Sequence, residues 1–313
     1  MSDTRTEPGS RPDLTPTTHG DSHPTTDASL LNDHDIESTY CKVNGVRLHV
    51  VAAGDPGDPL VVLLHGHPDF WYGWRDQIGP LVDAGFRVVV PDQRGCNLSE
   101  APDRIDAYRQ SELTADVCEL IQRENRDSAH LVGHDFGGFV AWNVALRRPS
   151  VVDRLGILNV PHPTVYRKTL RSSLEQIVRS WYVWFYQVPK LPEWLLGRNG
   201  MANMVDSLEI TSNPGTFDEE TIEHYRMAWR HTGIRPRVHW YRGFRRSEWP
   251  PRNVISQPTL LCWGERDVAL RPSMAEDSLD YCESGRLRRF PVASHWVHHE
   301  REEATDALLD HFS

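Results

Sequence analysis

Two aspartates and a histidine carry the chemistry this sequence can do. Asp135 sits in Gly133-His134-Asp135-Phe136-Gly137-Gly138, between the apolar run Ala129–Val132 and a helical pattern holding Phe139, Val140, Trp142 and Val144. Gly-x-Asp-x-Gly at a strand-to-helix junction reads as a nucleophile elbow with aspartate where serine is usual. The glycines leave room for a strained turn, and the free N–H groups of the first helical turn favour a carboxylate. Asp267 follows Leu260-Leu261-Cys262-Trp263-Gly264-Glu265-Arg266, and His295 follows Phe290-Pro291-Val292-Ala293-Ser294. Nucleophile, orienting acid and base in that chain order suit a hydrolase that forms a covalent intermediate. Each residue alone also fits a helix cap or a surface group; the order, with each at a strand's carboxyl end, singles them out. Glu265 competes with Asp267 for the acid's role.

The elements that must hold these residues follow from periodicity. Leu60–Leu64, Val88–Val90, Leu131-Val132, Leu155–Leu158 and Thr259–Leu261 are short continuous apolar runs, the mark of strands buried on both faces. Helical patterns separate them, such as Leu113, Val117, Leu120 and Ile121 on one face. Strands alternating with helices predict a doubly wound α/β sheet, mostly parallel. Asn44-Gly45 between Tyr40–Val43 and Val46–Ala52 predicts a leading hairpin. The alternation breaks at residues 161–250, which read as helices and hold six of the eleven tryptophans. Thr216-Phe217-Asp218-Glu219 reads as a capping box opening one of these helices. This stretch is expected to be a helical lid over a core made of residues 37–160 and 251–313.

Residues 1–36 have no aromatic side chain and are rich in Pro, Thr, Asp, Ser and His, so a disordered tail is expected, with a short helical pattern at Leu30-Leu31. The net charge of −10 argues against a nucleic-acid partner and for weak affinity toward anionic membranes. No apolar run is long enough to span a bilayer. Five scattered cysteines without a CxxC pair suit reduced thiols, hence a cytoplasmic location, rather than disulfides or zinc. His298-His299 reads as a solvated surface pair, and no metal site is expected.

With these residues in place, the chain from about residue 38 to 313 resembles the α/β-hydrolase superfamily, and within it the epoxide hydrolases that use an aspartate nucleophile. His65-Gly66-His67-Pro68 and the following Asp69-Phe70-Trp71-Tyr72-Gly73-Trp74-Arg75 resemble one family motif, and Asp92-Gln93-Arg94-Gly95-Cys96-Asn97-Leu98-Ser99 a second. The elbow and Ser294-His295-Trp296-Val297-His298-His299-Glu300 match two more. The resemblance implies an α/β-hydrolase fold, no metal or organic cofactor, a small apolar epoxide as substrate, and a monomer or homodimer.

It also implies roles. Opening an epoxide is a displacement at carbon: serine would leave an ether, whereas Asp135 leaves an ester that His295, oriented by Asp267, can clear by activating water. The backbone N–H groups of Phe136 and His67 are expected to form the oxyanion hole, with His67 mattering for its backbone and Pro68 cis. Tyr182 and Tyr241 are expected to donate to the opening oxygen, with Tyr186 the rival of Tyr182. His65, Pro68, Trp184, Tyr186 and Trp296 are expected to line the substrate pocket. Haloalkane and haloacid dehalogenases share the skeleton, but Phe136 and Val183-Trp184 stand where their halide or carboxylate donors are needed. A non-catalytic ligand-binding relative is the remaining alternative.

Overall fold

The computed structural model describes residues 26–31 and 36–313. Eight strands form one sheet: β1 Glu37–Val43, β2 Val46–Ala53, β3 Leu60–Leu64, β4 Arg87–Pro91, β5 Ala129–His134, β6 Val152–Leu158, β7 Thr259–Gly264 and β8 Gly285–Phe290. Their order is β1-β2-β4-β3-β5-β6-β7-β8, antiparallel from β1 to β4 and parallel beyond. The five residues of β3 and of β4 are all buried, as continuous apolar runs require of central parallel strands. Asn44 and Gly45 take φ of 43° and 79°, the left-handed turn that closes the β1–β2 hairpin.

The core helices are α1 Arg75–Asp83, α2 Gln110–Arg123 and α3 Asp135–Arg147, then, after the insertion, α11 Ser273–Leu279, α12 Val297–Glu300 and α13 Glu303–Phe312. Between β6 and β7 lie only helices: α4 Pro163–Ser172, α5 Leu174–Arg179, α6 Trp181–Phe185, α7 Leu191–Leu196, α8 Ala202–Thr211, α9 Glu219–Thr232 and α10 Arg235–Arg245. The N-cap of α9 is Asp218, whose carboxylate accepts from the Thr221 N–H at 2.8 Å; Thr216 instead donates to Glu300 at 3.0 Å.

The insertion is tied to the core by three aromatic donors. Trp229 Nε1 donates to the Pro68 carbonyl at 2.7 Å, Trp240 Nε1 to the Arg94 carbonyl at 2.9 Å, and the Tyr225 hydroxyl to Asp69 Oδ1 at 2.7 Å. All three are buried, so each bond is made in a dry contact where an unpaired donor is costly. They fasten the helices to the loops after β3 and β4.

Ordered structure begins before residue 36. Thr26 and Ala28 are buried, Trp71 Nε1 donates to the Thr26 carbonyl at 2.6 Å, and Ala28–Leu30 form a single helical turn. The expected disordered tail is therefore corrected at residues 26–31, where one backbone carbonyl satisfies a buried indole; residues 1–25 and 32–35 lie outside the described residues. Among the described residues no helix is long and apolar enough to cross a membrane.

Candidate active site

The carboxyl ends of β5, β7 and β8 bring the three sequence candidates together. Asp135 opens α3 with φ of 49°, a left-handed conformation that an aspartate adopts only under constraint. The constraint is close packing of backbone on backbone. A Cβ on Gly137 would lie 2.1 Å from the Leu64 carbonyl oxygen, and one on Gly133 would lie 2.4 Å from that of Gly137. Only glycine fits at either place, and the turn lifts Asp135 off the sheet edge.

Its two carboxylate oxygens face different partners. Oδ1 accepts from the His67 backbone N–H at 2.9 Å, while Oδ2 lies 3.4 Å from His295 Nε2. On the other side of the ring, His295 Nδ1 donates to Asp267 Oδ2 at 2.7 Å. Asp267 is fully held: Asn159 Nδ2 donates to Oδ2 at 2.9 Å, and the N–H groups of Ala269 and Leu270 donate to Oδ1 at 2.8 and 2.9 Å. Glu265, the competing carboxylate, instead pairs with Arg289 at 2.8 Å.

The charges reinforce this order. Burial pulls the His295 imidazole toward neutrality, but Asp267 and Asp135 on either side outweigh it and hold its pKa up at about 10. Burial raises Asp135 too, yet the bond and charge of His295, with smaller contributions from His134 and the His67 N–H, keep it well below the usual carboxylate range. The resting site is thus an imidazolium between two carboxylates.

Above Asp135 stands a cluster of phenols. The rings of Tyr182 and Tyr241 lie 5.9 Å apart and those of Tyr186 and Tyr241 4.4 Å apart, and Asp135 is close enough to push all three pKa values further up after burial has raised them. At rest the phenols are protonated and can donate. Tyr166, which the sequence did not single out, completes the group: burial and Asp135 raise it to about 12, and its ring meets Phe139 at 5.2 Å. Its only sequence signal is a buried position at the start of the insertion. Phe136 follows Asp135 in the first turn of α3 and packs edge-on against Tyr241 at 4.7 Å. The walls are aromatic, which suits an apolar substrate.

Three expected pocket residues have other duties. Trp184 is 51% exposed on the outer side of α6, because a helix turns Tyr182 and Tyr186 inward together and sends a residue between them outward. His65 is fully buried and builds its own turn, accepting from the Gln93 N–H at Nε2 over 3.0 Å. Trp296 lies behind His295, donating through Nε1 to Thr211 Oγ1 at 2.9 Å. Pro68 follows a cis peptide bond, and His67 meets Tyr241 and Tyr186 edge-on at 5.2 and 5.8 Å.

His298-His299 is not a surface pair. His298 is 3% exposed and its ring stacks near those of His134 and Trp74 at 4.4 and 4.6 Å. Both imidazoles share a buried pocket with Asp69, their ligand-type atoms and its carboxylate within 4.8 Å of one another. Burial lifts the Asp69 pKa to about 7. Its Oδ1 accepts from the Phe70 N–H and from the Tyr225 hydroxyl, each at 2.7 Å. Two further positioning residues escaped the sequence reading. Asn159 joins Asp267 to the Gly264 N–H, and Glu300 accepts from the N–H groups of Ser294 and Asn213, both at 2.8 Å.

Comparison with known proteins identifies the family. Residues 59–302 match the family described as "alpha/beta hydrolase fold". The chain is 37% identical over 278 residues to the AB hydrolase superfamily protein YfhM of Bacillus subtilis, covering 88% of this chain and 96% of that one. It is 36% identical over 284 residues to Epoxide hydrolase 1 of Caenorhabditis elegans, covering 88% and 70%. Its fold superposes on the crystal structure of Epoxide Hydrolase A from Mycobacterium thermoresistibile with a TM-score of 0.79 at 30% identity, covering 88% of this chain and 98% of that one.

Proposed function

This chain belongs to the α/β-hydrolase fold family and is an epoxide hydrolase, and we propose that it makes a vicinal diol through a covalent ester on Asp135. The observation that carries the mechanism is the division of labour at Asp135, with Oδ1 on a backbone N–H and Oδ2 facing His295 at 3.4 Å. Oδ2 attacks a ring carbon and the carbon–oxygen bond breaks. Tyr182 and Tyr241 donate to the departing oxygen, which takes up a proton.

Forming the ester removes one of the two negative charges that hold the proton on His295. The imidazolium then loses that proton, which returns to the phenols, and becomes the base the second step requires. Neutral His295 takes a proton from water, and the hydroxide adds to the ester carbonyl. The developing oxyanion occupies the place of Oδ1, against the N–H groups of His67 and Phe136. Collapse expels the diol oxygen, which takes the proton from His295; the proton left on the Asp135 carboxyl passes to the imidazole and restores the resting pair, so one epoxide and one water give one diol. The substrate class is a small apolar epoxide, in keeping with the aromatic walls. The five free cysteines support a reducing, cytoplasmic compartment.

The test is a trap. His295→Gln opens the epoxide once and stalls, so intact-protein mass spectrometry gains the mass of one epoxide, localised to Asp135. A haloalkane offered to the same variant leaves the mass unchanged. An adduct from the haloalkane alone, or none from any epoxide, overturns the mechanism.

A further inference from the structure

Eight of the fourteen large apolar side chains exposed among the described residues fall between residues 174 and 194. Leu174, Ile177, Val178 and Trp181 recur at helical spacing along α5 into α6, the pattern of a core-facing stripe, yet Leu174 is 81% exposed, Val178 70% and Trp181 62%. Trp184 and Trp194 add 51% and 57%. Isolated exposed apolar residues need no explanation; a run of them with three tryptophans does.

The surrounding charge identifies the occupant. Between Pro163 and Gly200 there are six Arg or Lys and two Asp or Glu, in a chain whose net charge is −10. Both acids are already paired, Glu175 with Arg179 at 2.9 Å and Glu193 with Arg242 at 2.6 Å. Two cations sit on the tryptophans themselves, Arg198 4.2 Å from the Trp194 ring centre and Arg245 5.2 Å from that of Trp184. Alongside opens a cleft of about 890 Å³ in which Arg235 pairs with Asp103, Arg246 with Asp106 and Arg242 with Glu193, leaving Arg104, Lys190 and Arg245 as its excess positive charge. Exposed tryptophans ringed by Arg and Lys are the composition of a surface that lies in a bilayer interface. A second copy of this chain would bring the same positive face against itself, so charge disfavours that occupant.

We propose that α5–α7 and the adjoining cleft dock on an anionic phospholipid bilayer, the tryptophans entering the headgroup zone and the cleft taking lipid phosphates. The acidic remainder of the molecule is repelled from such a surface, which fixes the orientation. Resting on the epoxide-hydrolase reading, the docked face would supply membrane-dissolved apolar epoxides: α6 carries Trp181 and Trp184 on its outer side, and Tyr182, with Tyr186 capping the helix, on its inner side.

Flotation of the full chain with vesicles tests the docking without reference to turnover. Binding is expected to phosphatidylcholine vesicles containing phosphatidylglycerol, to weaken in about 0.5 M salt, and to be at least about tenfold lower on pure phosphatidylcholine. The triple variant Val178→Ser, Trp181→Ser, Trp194→Ser should keep its Tm and its rate on a water-soluble epoxide. It should lose vesicle binding, and with it turnover of an epoxide delivered in the bilayer. No binding to anionic vesicles, equal binding to both, or binding unchanged in the variant overturns docking. So does a dimer of the full chain in sedimentation that the same variant dissolves. Vesicle binding without turnover of any epoxide would leave docking standing and remove the catalytic reading instead.

Discussion

At the residue scale the site is a chain of dependencies running Asn159, Asp267, His295, Asp135. The sequence made the last three legible by different signals: Asp135 and Asp267 follow apolar runs and glycines, whereas His295 follows the charged strand Gly285–Phe290 and stood out through its motif and its place in the chain order. Asn159 was invisible: a buried polar residue after β6 has no local pattern, and its role exists only through Asp267 at 2.9 Å. The charge coupling is testable by itself. Asp135→Asn keeps the shape but removes one carboxylate, so the His295 pKa should drop from about 10 by a unit or more, read from its imidazole proton shifts by NMR. An unchanged titration would show that Asp135 does not hold that proton. Tyr182→Phe and Tyr241→Phe should each slow single-turnover ester formation on the order of 10²-fold, with no adduct accumulating. Tyr186→Phe should cost much less if Tyr186 serves as wall; equal losses would make it a third donor. Trp184 illustrates what resemblance alone cannot supply, since the helix carrying two inward phenols must turn something outward.

At the element scale, several short segments do the positioning. Glu300, ending α12, accepts from the loop that carries His295 and from Asn213 and Thr216 in the insertion. Glu300→Ala should leave those donors in a part-buried contact without a partner. The expected cost is about 1–3 kcal/mol, a Tm lower by roughly 3–10 °C, and a reduced kcat because His295 loses its anchor. An unaltered kcat with lowered Tm would separate stability from positioning. The leading segment makes the opposite case to composition. A chain starting at Thr26 should match the full protein in Tm, whereas one starting at Ile36 should lose several degrees because Trp71 Nε1 loses its acceptor. The apolar runs made the sheet readable, but a single carbonyl capping an indole leaves no trace in residue composition. The His298-His299 pair failed for the same reason: hydrophilic residues read as solvated unless their buried partner, Asp69, is known.

At the scale of the whole molecule, many imidazoles are buried neutral around one that is charged. Burial lowers His65 to about 4 and His67, His134 and His162 to about 3, with His298 and His299 further down. Unfolding returns each to an ordinary value near 6.5, so the unfolded chain binds more protons below that pH and stability falls as pH drops. Asp69 at about 7 and Asp116 at about 6 oppose this, since their folded forms bind the extra proton, but they are two against nine, because burial lowers His130, His239 and His311 as well. Each net proton taken up on unfolding costs about 1.4 kcal/mol per pH unit. Calorimetry should therefore find Tm falling steeply below about pH 6, and a Tm flat between pH 7 and 5 would contradict it. The sheet order has a consequence for how the enzyme comes into being. From β5 onward, through β6 and β7 to β8, each strand joins beside the one made before it, so that half of the sheet zips in the order of synthesis. Asp135, just after β5, is therefore made before His295, which follows β8. On the proposed mechanism, Asp135 without the segment that follows β8 has no base to clear its ester, so the docking of that segment turns a one-shot reagent into a catalyst.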